Sequence, residues 1–560
     1  MNRKEIIAQL TAPGQAYELV NVEQNGQSCR MYKNMPATLK DLYESGRSEL
    51  PFIAYLDELL SYEEAWQQSC SIAAVLIERF DVKKGDRVAI AMRNYPEWIT
   101  SFCAITSIGA IAVAVNSHWQ GKELCYALND SAAKVLIADQ QRAELVVEHD
   151  DCPSSLSTLT VRSTNELNSR LTALEPLTQL HRCDEMPSCV LTPDDSATIL
   201  YTSGSTGHPK GALSCHRSVL SALGSWELEF QIGIASKSIE KPILTEQASA
   251  LLAIPLFHVT GSHSVFLMSF RAQRRLEIMY KWDAKLAAEM IDKNQITQFT
   301  ATPAMTGDLV AAARAGGYKL DSLRLVGGGG APRAPEQVRA IDETFSNTAV
   351  NTGWGMTETN AIGTFAGGKH YLEKPASSGA SAAVLDLRIV NELGVELGTG
   401  ERGELEVRGT SVIKNYWNRP DANEEAFHDG WFRSGDLAYI DSDGDVFIVD
   451  RIKDLVIRGG ENIGCGAVEA AILEHPAVHE VAVYGVPDER LGEEVGASLY
   501  CLENMPAPDA DSLREFLSTR LARYEIPRYL TFAPLPLPRT ESGKIFKRQV
   551  KAEAAELLAG

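Results

Sequence analysis

The chain has 560 residues, 44% of them hydrophobic and 23% charged, and a formal net charge of −21. That length exceeds one ordinary hydrophobic core, so two or more domains are expected. The excess of acidic over basic side chains, 74 against 53, argues against non-specific binding to nucleic acid or to an anionic membrane. It leaves room for a local cluster of donors that holds a phosphate.

The ten cysteines are scattered without a C-x-x-C pair, which reads as free thiols in a reducing compartment and offers no metal-site spacing. Residues 1–5 lead into a polar stretch with no apolar signal core, and the final Leu-Leu-Ala-Gly is no targeting address; the expected location is the cytoplasm. The run 99–115 is broken by Thr, Ser and Gly and is too short for a membrane span.

In chain order, short apolar runs alternate with helical patterns, which predicts a layered α/β architecture. A strand is expected over 87–91, a helix over 96–107, and strands over 109–115 and 134–138. Residues 140–192 are polar and irregular and read as an insertion or bridging region. A strand over 197–201 runs into a Gly/Ser/Thr loop. A second strand over 323–326 precedes a glycine run and a helix starting near Pro335, which suits a first helical position. Residues 437–440 and 445–449 flank the turn Asp441-Ser-Asp-Gly444 as a hairpin. Beyond it, a helix over 467–473 and a strand over 480–484 suggest a small C-terminal domain hinged near Lys453.

Five segments carry chemistry. Residues 201–211 read Y-T-S-G-S-T-G-H-P-K-G. Gly204 and Gly207 free the backbone so that N–H groups converge on an anion; Ser203, Ser205 and Thr206 add hydroxyls and Lys210 a positive charge. The spacing is not that of the common nucleotide-binding P-loop. Gly327 to Gly330, with Ala331 and Pro332, would let a planar ring lie against the backbone at a strand's C-terminal end. Trp354, Gly355, Met356, Thr357 and Glu358 offer an aromatic face, a close approach, a hydroxyl, and a carboxylate able to hold Mg²⁺. Asp436 stands at the start of the hairpin, where it could accept both hydroxyls of a ribose. Asp441, Asp443 and Asp445 lack the glycine and closing glutamate of a calcium loop and read as a turn. Lys544, on the turn P-R-T-E-S-G-K near the C-terminus, could reach a phosphate from a mobile domain. Taken singly, each segment has a plain structural reading: a flexible connection, a tight turn, a core Trp, a solvated lysine.

In this order, the segments resemble the adenylate-forming superfamily of acyl-CoA synthetases, peptide-synthetase adenylation domains and firefly-type luciferases. The resemblance runs from about Phe80 to Lys547 and adds P-L-F-H-V-T-G at 255–261, G-E-L-E-V-R-G at 403–409 and D-R-I-K-D at 450–454. It implies a large multi-subdomain α/β N-terminal domain, residues 1–452, and a small mobile α+β C-terminal domain, 453–560. It implies ATP, Mg²⁺ and CoA as partners of the site, with a homodimer admitted as an assembly. Residues 202–210, with Thr202 and Lys210 at the ends, would hold the outer phosphates, and Thr206 would lie near the α-phosphate and the metal. Gly329, Ala331 and Pro332 would border the adenine beside Trp354. Thr357 would touch the α-phosphate, Glu358 would hold Mg²⁺, and Asp436 with Arg451 would bind the ribose. Lys544 would be the adenylation lysine, Lys453 the hinge, Gly459 and Gly460 a lining of the thiol path, and His258 a gate between acyl pocket and thiol tunnel. A histidine that merely caps a buried strand is the plain alternative for His258.

The chain departs from the family pattern in three places. Trp354 replaces a Tyr, Ser434 a Thr, and Gly464-Cys465-Gly466 stand where many members have an aromatic residue and Pro. The expected function is activation of a carboxylic acid as its adenylate followed by transfer to CoA. Ala361, Ile362 and the segment after His258 are apolar or small, as an aliphatic or aromatic tail needs, and no residue stands out to pair an α-amino group, which disfavours an amino acid. Because the chain most resembles bacterial-type fatty-acid–CoA ligases, medium- to long-chain fatty acids come first and aryl or steroid-like acids second. The rivals are a carrier-protein acceptor and a non-catalytic nucleotide sensor.

Overall fold

The computed structural model describes residues 2–164, 166–202, 209–240, 246–345, 347–459, 461–502, 505–540 and 543–559. Two large sheets dominate. The first orders its strands Asn415–Tyr416, Lys210–Cys215, Ser196–Thr202, Ile111–Ala114, Arg87–Ala91, Val135–Asp139, Ser157–Val161 and Leu171–Ala173. From Ser196–Thr202 outward through Leu171–Ala173 the pairings are parallel. Its middle strands are Ala-, Val- and Ile-rich and buried on both faces, as a parallel sheet covered by helices requires.

The expected helix over 96–107 is Pro96–Ser107, with proline in the first turn and nearly every residue buried. The expectation for 140–192 fails. This segment contains the helix Gln140–Glu148 and the strands Ser157–Val161 and Leu171–Ala173, which extend the first sheet to its edge. Leu171–Ala173, the edge strand, is too short to show an apolar period, and Ser157–Val161 offers only Leu159 and Val161.

The second sheet orders Ala380–Ser381, Thr364–Gly367, Ala349–Thr352, Leu325–Gly328, Gln298–Ala301, Ser249–Leu252, Arg275–Ile278, Pro51–Tyr55 and Glu58–Ser61. Its core is parallel. The strand expected to end at Val326 runs two residues further and takes Gly327 and Gly328 into the ladder. One continuous core joins the two sheets: Ile90 and Leu200 from the first and Leu252 and Leu276 from the second share it with Trp98, Phe102 and Leu220 from the intervening helices.

A third sheet contains Leu385–Val390, Gly403–Gly409, Trp431–Ile440 and Val446–Arg451. The predicted hairpin is its last pair, and its turn is an acidic cluster closed by a lysine. Lys374 Nζ lies 2.8 Å from Asp441 and 3.2 Å from Asp445, which fits the turn reading. A smaller C-terminal domain is built on its own sheet. Val478–Asp488 and Gly492–Cys501 form the long hairpin, and Cys465–Leu473 packs across it.

The expectation of free thiols throughout also needs correction. Cys125, on the helix Gly121–Asp130, and Cys152 form a disulfide with their Cα atoms 4.5 Å apart. A spacing of 27 residues has no motif to announce it, because only the fold brings the two together.

Candidate active site

The site lies at the C-terminal ends of the second sheet's parallel strands, where open α/β sheets bind ligands. Leu325–Gly328 and Ala349–Thr352 run side by side in parallel and release Gly329 and Gly353 at the same edge. Gly330 turns back with φ +79°, and a Cβ there would lie 3.0 Å from Lys544 Cε. The glycine thus admits the lysine of the C-terminal domain. Ala331 and Pro332 continue the bend toward the helix Pro335–Thr344. Gly355 is also obligatory, since a Cβ there would sit 2.4 Å from the Ala361 carbonyl. The 3₁₀ turn Thr357–Thr359 ends in two consecutive left-handed residues, Asn360 (φ 54°) and Ala361 (φ 65°). Strain of this kind outside glycine concentrates at functional sites. Met356 and Thr357 start that turn, the Met356 N–H donating to Thr359 Oγ1.

Glu358 is 6% exposed, and its Oε1 accepts a 2.7 Å hydrogen bond from the Tyr416 hydroxyl. Lys210 Nζ lies 5.1 Å from the centre of the Tyr416 ring, a cation–π distance. One tyrosine therefore links the end of the Gly/Ser/Thr loop to the acidic residue. Burial, then the Glu358 charge, pushes the Tyr416 hydroxyl well above its ordinary range, so it stays a donor. Thr202 ends its strand and donates from Oγ1 to the Lys210 carbonyl at 3.3 Å. Ser203, Gly204, Ser205, Thr206 and Gly207 lie outside the described residues, as does Gly460.

Asp436 is 3% exposed. Its Oδ2 accepts from Trp354 Nε1 at 2.7 Å, and Arg451 Nε lies 2.8 Å from its Oδ1. The antiparallel register sets this pair, because Asp436 and Arg451 face each other across the hairpin. Burial pushes the Asp436 carboxyl up, and the Arg451 charge and the indole N–H oppose it.

The C-terminal domain reaches the same place. Burial, with Arg451 nearby, lowers the Lys544 ammonium to about 8. His258 precedes the π-helix Thr260–Leu267, and its buried Nε2 has no partner among the described residues. Burial, then Lys544 and His118, lowers His258 to about 3, so the ring is neutral. Arg539 ties the domain down: its guanidinium lies 3.3 Å from Asp308, on the helix Pro303–Gly316, and 2.6 Å from Glu480 in its own domain. Lys453 stands exposed on the 3₁₀ turn Ile452–Asp454, and Gly459 turns the hairpin between Val456–Arg458 and Glu461–Ile463. Neither lines the cavity described next.

A cavity of about 530 Å³ opens from the glycine edge, beside Gly329, Gly330, Gly355 and Ala361. This is an ordinary size for a small-molecule site. It runs under Val259 and Thr260 to Trp226 and Phe230 on the helix His216–Ala235. Ile362, expected at the acyl site, is buried beside it in the core.

Sequence reasoning missed Tyr416, Asp308 and Asn94. The Asn94 amide donates to the Ile254 and Met279 carbonyls and accepts from the Leu256 N–H, which fixes the backbone leading to His258. None of the three stands in a motif; Tyr416 left one trace, an aromatic pair with Trp417 near the end of a charged stretch.

Among the described residues, no group of three or more His, Cys, Asp or Glu side chains is arranged to hold a metal. Glu358 fits Mg²⁺ nonetheless, because that ion is commonly held by one or two carboxylates together with substrate phosphates.

Comparison with known proteins places the chain among relatives of one family. The profile of a family described as AMP-binding enzyme matches residues 44–417, and that of AMP-binding enzyme C-terminal domain matches 467–544. The chain is 31% identical over 506 residues to a long-chain-fatty-acid–CoA ligase of Mycobacterium tuberculosis, covering 89% of this chain and 95% of the relative. It is 34% identical over 472 residues to a feruloyl-CoA synthase of Amycolatopsis, covering 84% and 89%. The solved O-succinylbenzoate coenzyme A synthetase of Bacillus subtilis, in complex with ATP and magnesium ion, superposes with a TM-score of 0.76. It is 27% identical, and the match covers 92% of this chain and 99% of that one.

Proposed function

Because this chain belongs to the AMP-binding enzyme family and carries that family's C-terminal domain, we propose that residues 1–452 adenylate a carboxylic acid. Residues 453–560 then act as a mobile domain serving both half-reactions. The enzyme is an AMP-forming acid–thiol ligase using ATP, Mg²⁺ and CoA. The observation that carries the residue assignment is Lys544 seated against Gly330 at the mouth of the cavity.

In the first half-reaction, the acid's carboxylate attacks the α-phosphorus of ATP and pyrophosphate leaves. The chain's part is to position the reactants and to neutralise charge. Thr202, Ser203, Gly204, Ser205, Thr206, Gly207 and Lys210 hold the outer phosphates. Gly329, Ala331 and Pro332 border the adenine beside Trp354. Asp436, kept in place by Trp354 and Arg451, accepts the ribose hydroxyls. Thr357 and Lys544 meet the α-phosphate, the lysine stabilising charge that develops there. When bound, Mg²⁺ neutralises phosphate charge, and Glu358 with Thr206 would hold it.

In the second half-reaction, rotation about Lys453 withdraws Lys544 and brings the Gly459–Gly460 turn to the thiol path. His258, neutral and with no Nε2 partner among the described residues, acts as the gate between acyl pocket and thiol tunnel.

For the acid, we read a medium- to long-chain fatty acid. The lining includes the apolar side chains of Trp226, Phe230, Ile239, Val259 and Met268, and a relative's name specifies a long-chain fatty acid. Aromatic walls at Trp226, Phe230 and Phe365 favour an aryl acid as the second reading, in keeping with the name of the feruloyl-CoA synthase relative. No helix among the described residues is long and apolar enough to cross a membrane, and the acidic surface supports a cytoplasmic placement.

The test is pyrophosphate release from ATP and Mg²⁺ across a panel of acids, with and without CoA. Acid-dependent release yielding acyl-CoA is expected, and the best acid names the substrate class. Release unaffected by CoA would move the acceptor to a carrier protein. No release with any acid would leave a nucleotide sensor.

A further inference from the structure

One charged group in the cavity wall has no ion-pair partner among the described residues. The cavity follows the face of the second sheet on which Gln298 and Thr300 alternate. Its strands are parallel and in register: Ser249 opposite Arg275, Ala250 opposite Gln298, and Gln298 opposite Leu325. Gly329 leaves the sheet at the C-terminal edge, where Lys544 waits. Arg274 precedes Arg275–Ile278 at the opposite, N-terminal edge of the same sheet, and it lines the same cavity. From Leu325 to Gly329 is four strand residues, about 13 Å at the rise of a parallel strand. The glycine end of the cavity thus lies beside a cationic lysine and its other end includes a cationic arginine, with both polar (Gln298, Thr300) and apolar (Trp226, Phe230, Met268) side chains in the lining between them.

The far end also contains Glu227 and Arg271, but these satisfy each other, with Arg271 Nε 2.8 Å from Glu227 Oε1. Their charges cancel and leave Arg274 as the net positive charge of the lining. No described residue accepts a hydrogen bond from its guanidinium or pairs with it; its fixed contacts are made by its backbone, the N–H to Ser269 and the carbonyl to the Tyr62 hydroxyl. Desolvation, opposed by Tyr62 and Glu227, lowers Arg274 to about 10, which still leaves it protonated at neutral pH. Arg274 is half-buried in the cavity wall, and a guanidinium there without an ion-pair partner among the described residues is open to an anionic ligand. A wall built only for a hydrocarbon tail would not include such a cation.

We propose that Arg274 is a specificity residue that binds a second carboxylate at the far end of the acid. The preferred substrate is then an α,ω-dicarboxylic acid, or an aryl acid bearing a distal carboxylate. The planar guanidinium suits a carboxylate, to which it can donate two parallel hydrogen bonds. The reacting carboxylate is then held at the glycine edge and the second one at the sheet's other edge, with the apolar walls on the spacer. This assignment rests on the ligase reading above and refines its substrate.

The experiment compares decanoic acid with sebacic acid, its ω-carboxylated counterpart, within a series from suberic to dodecanedioic acid. The readout is kcat and KM for pyrophosphate release by the full chain and by Arg274→Met and Arg274→Lys. The wild type should favour a diacid over its matched monoacid. Arg274→Met should lower kcat/KM for that diacid about 10- to 100-fold, mainly through KM, while sparing or improving decanoate; turnover of decanoate shows that the variant folds. Arg274→Lys should recover part of the loss. A wild type that prefers monoacids throughout, or an Arg274→Met that slows both acids alike, overturns the assignment. Calorimetric binding of sebacate and decanoate without ATP gives a second reading. A sebacate preference lost in Arg274→Met supports Arg274 even if no acid is turned over, an outcome that would overturn the ligase reading alone.

Discussion

Lys544 sits against Gly330 with its ammonium withdrawn from water, and its proton is accordingly looser than an ordinary lysine's. The protonated form is the one that can meet an α-phosphate, and it prevails below about 8. For the free enzyme, kcat/KM for ATP in the adenylation half-reaction should therefore be level toward neutrality and fall about tenfold per pH unit above that value. The sign for stability is the reverse. The unfolded chain holds this proton up to ~10.4, so the folded state gains from Lys544 as pH rises from about 8 into that range. Lys544→Ala should abolish pyrophosphate release yet still make thioester from supplied acyl-adenylate. Equal loss of both steps would refute the division of labour between the two domain positions.

At the scale of elements, the short strand Asn415–Tyr416 does more than its length suggests. It pairs with Lys210–Cys215, Tyr416 opposite Ala212, and so holds one ring beneath the Lys210 ammonium and against Glu358. Tyr416→Phe keeps the ring and removes only the hydroxyl. The loss of one hydrogen bond to a charged group is worth about 1.5–3 kcal/mol at most. Titration of Mg·ATP should show KM raised about tenfold with little change in melting temperature. An unchanged KM would mean that Glu358 is oriented by its backbone turn alone. The disulfide between Cys125 and Cys152 is likewise an element-scale feature. It ties the middle of the helix Gly121–Asp130 to the turn that follows the helix Gln140–Glu148, beside Tyr126, whose hydroxyl donates to the Pro209 carbonyl.

For the molecule as a whole, the question is what holds the C-terminal domain in the arrangement seen. Arg539 bridges Asp308 on the larger domain and Glu480 on its own. Asp308→Asn removes the charge at the domain contact and keeps an oxygen for the Trp282 indole, which donates to Asp308 at 3.1 Å. The variant should slow adenylation severalfold, measured by pyrophosphate release, and leave thioester formation from acyl-adenylate unchanged. Both rates falling together would assign the pair to stability instead.

Much of this was legible in the sequence because it is written in local chemistry. Residues 87–91 and 96–107 declare a strand buried on both faces and a buried helix opened by proline. The hairpin after Asp436 declares itself by its Asp-Ser-Asp-Gly turn, and the ordered motifs identify the family. Other features could not be read, since they depend on segments far apart in the chain. The strands 157–161 and 171–173 are strands only because a sheet is there to receive them. Tyr416 reaches Glu358 only through a ladder with residues two hundred positions earlier.

By itself, then, the sequence determined the family, the kinds of groups in the active site and the alternation of strand and helix, because glycines, prolines and apolar periods act on their own neighbours. Only the tertiary structure decided that Trp354 and Arg451 share Asp436, that Lys544 rests on Gly330, and that Arg274 stands across the sheet from it without an ion-pair partner among the described residues. Those facts depend on parallel register and on burial, which exist only once distant strands have met and water has been excluded between them.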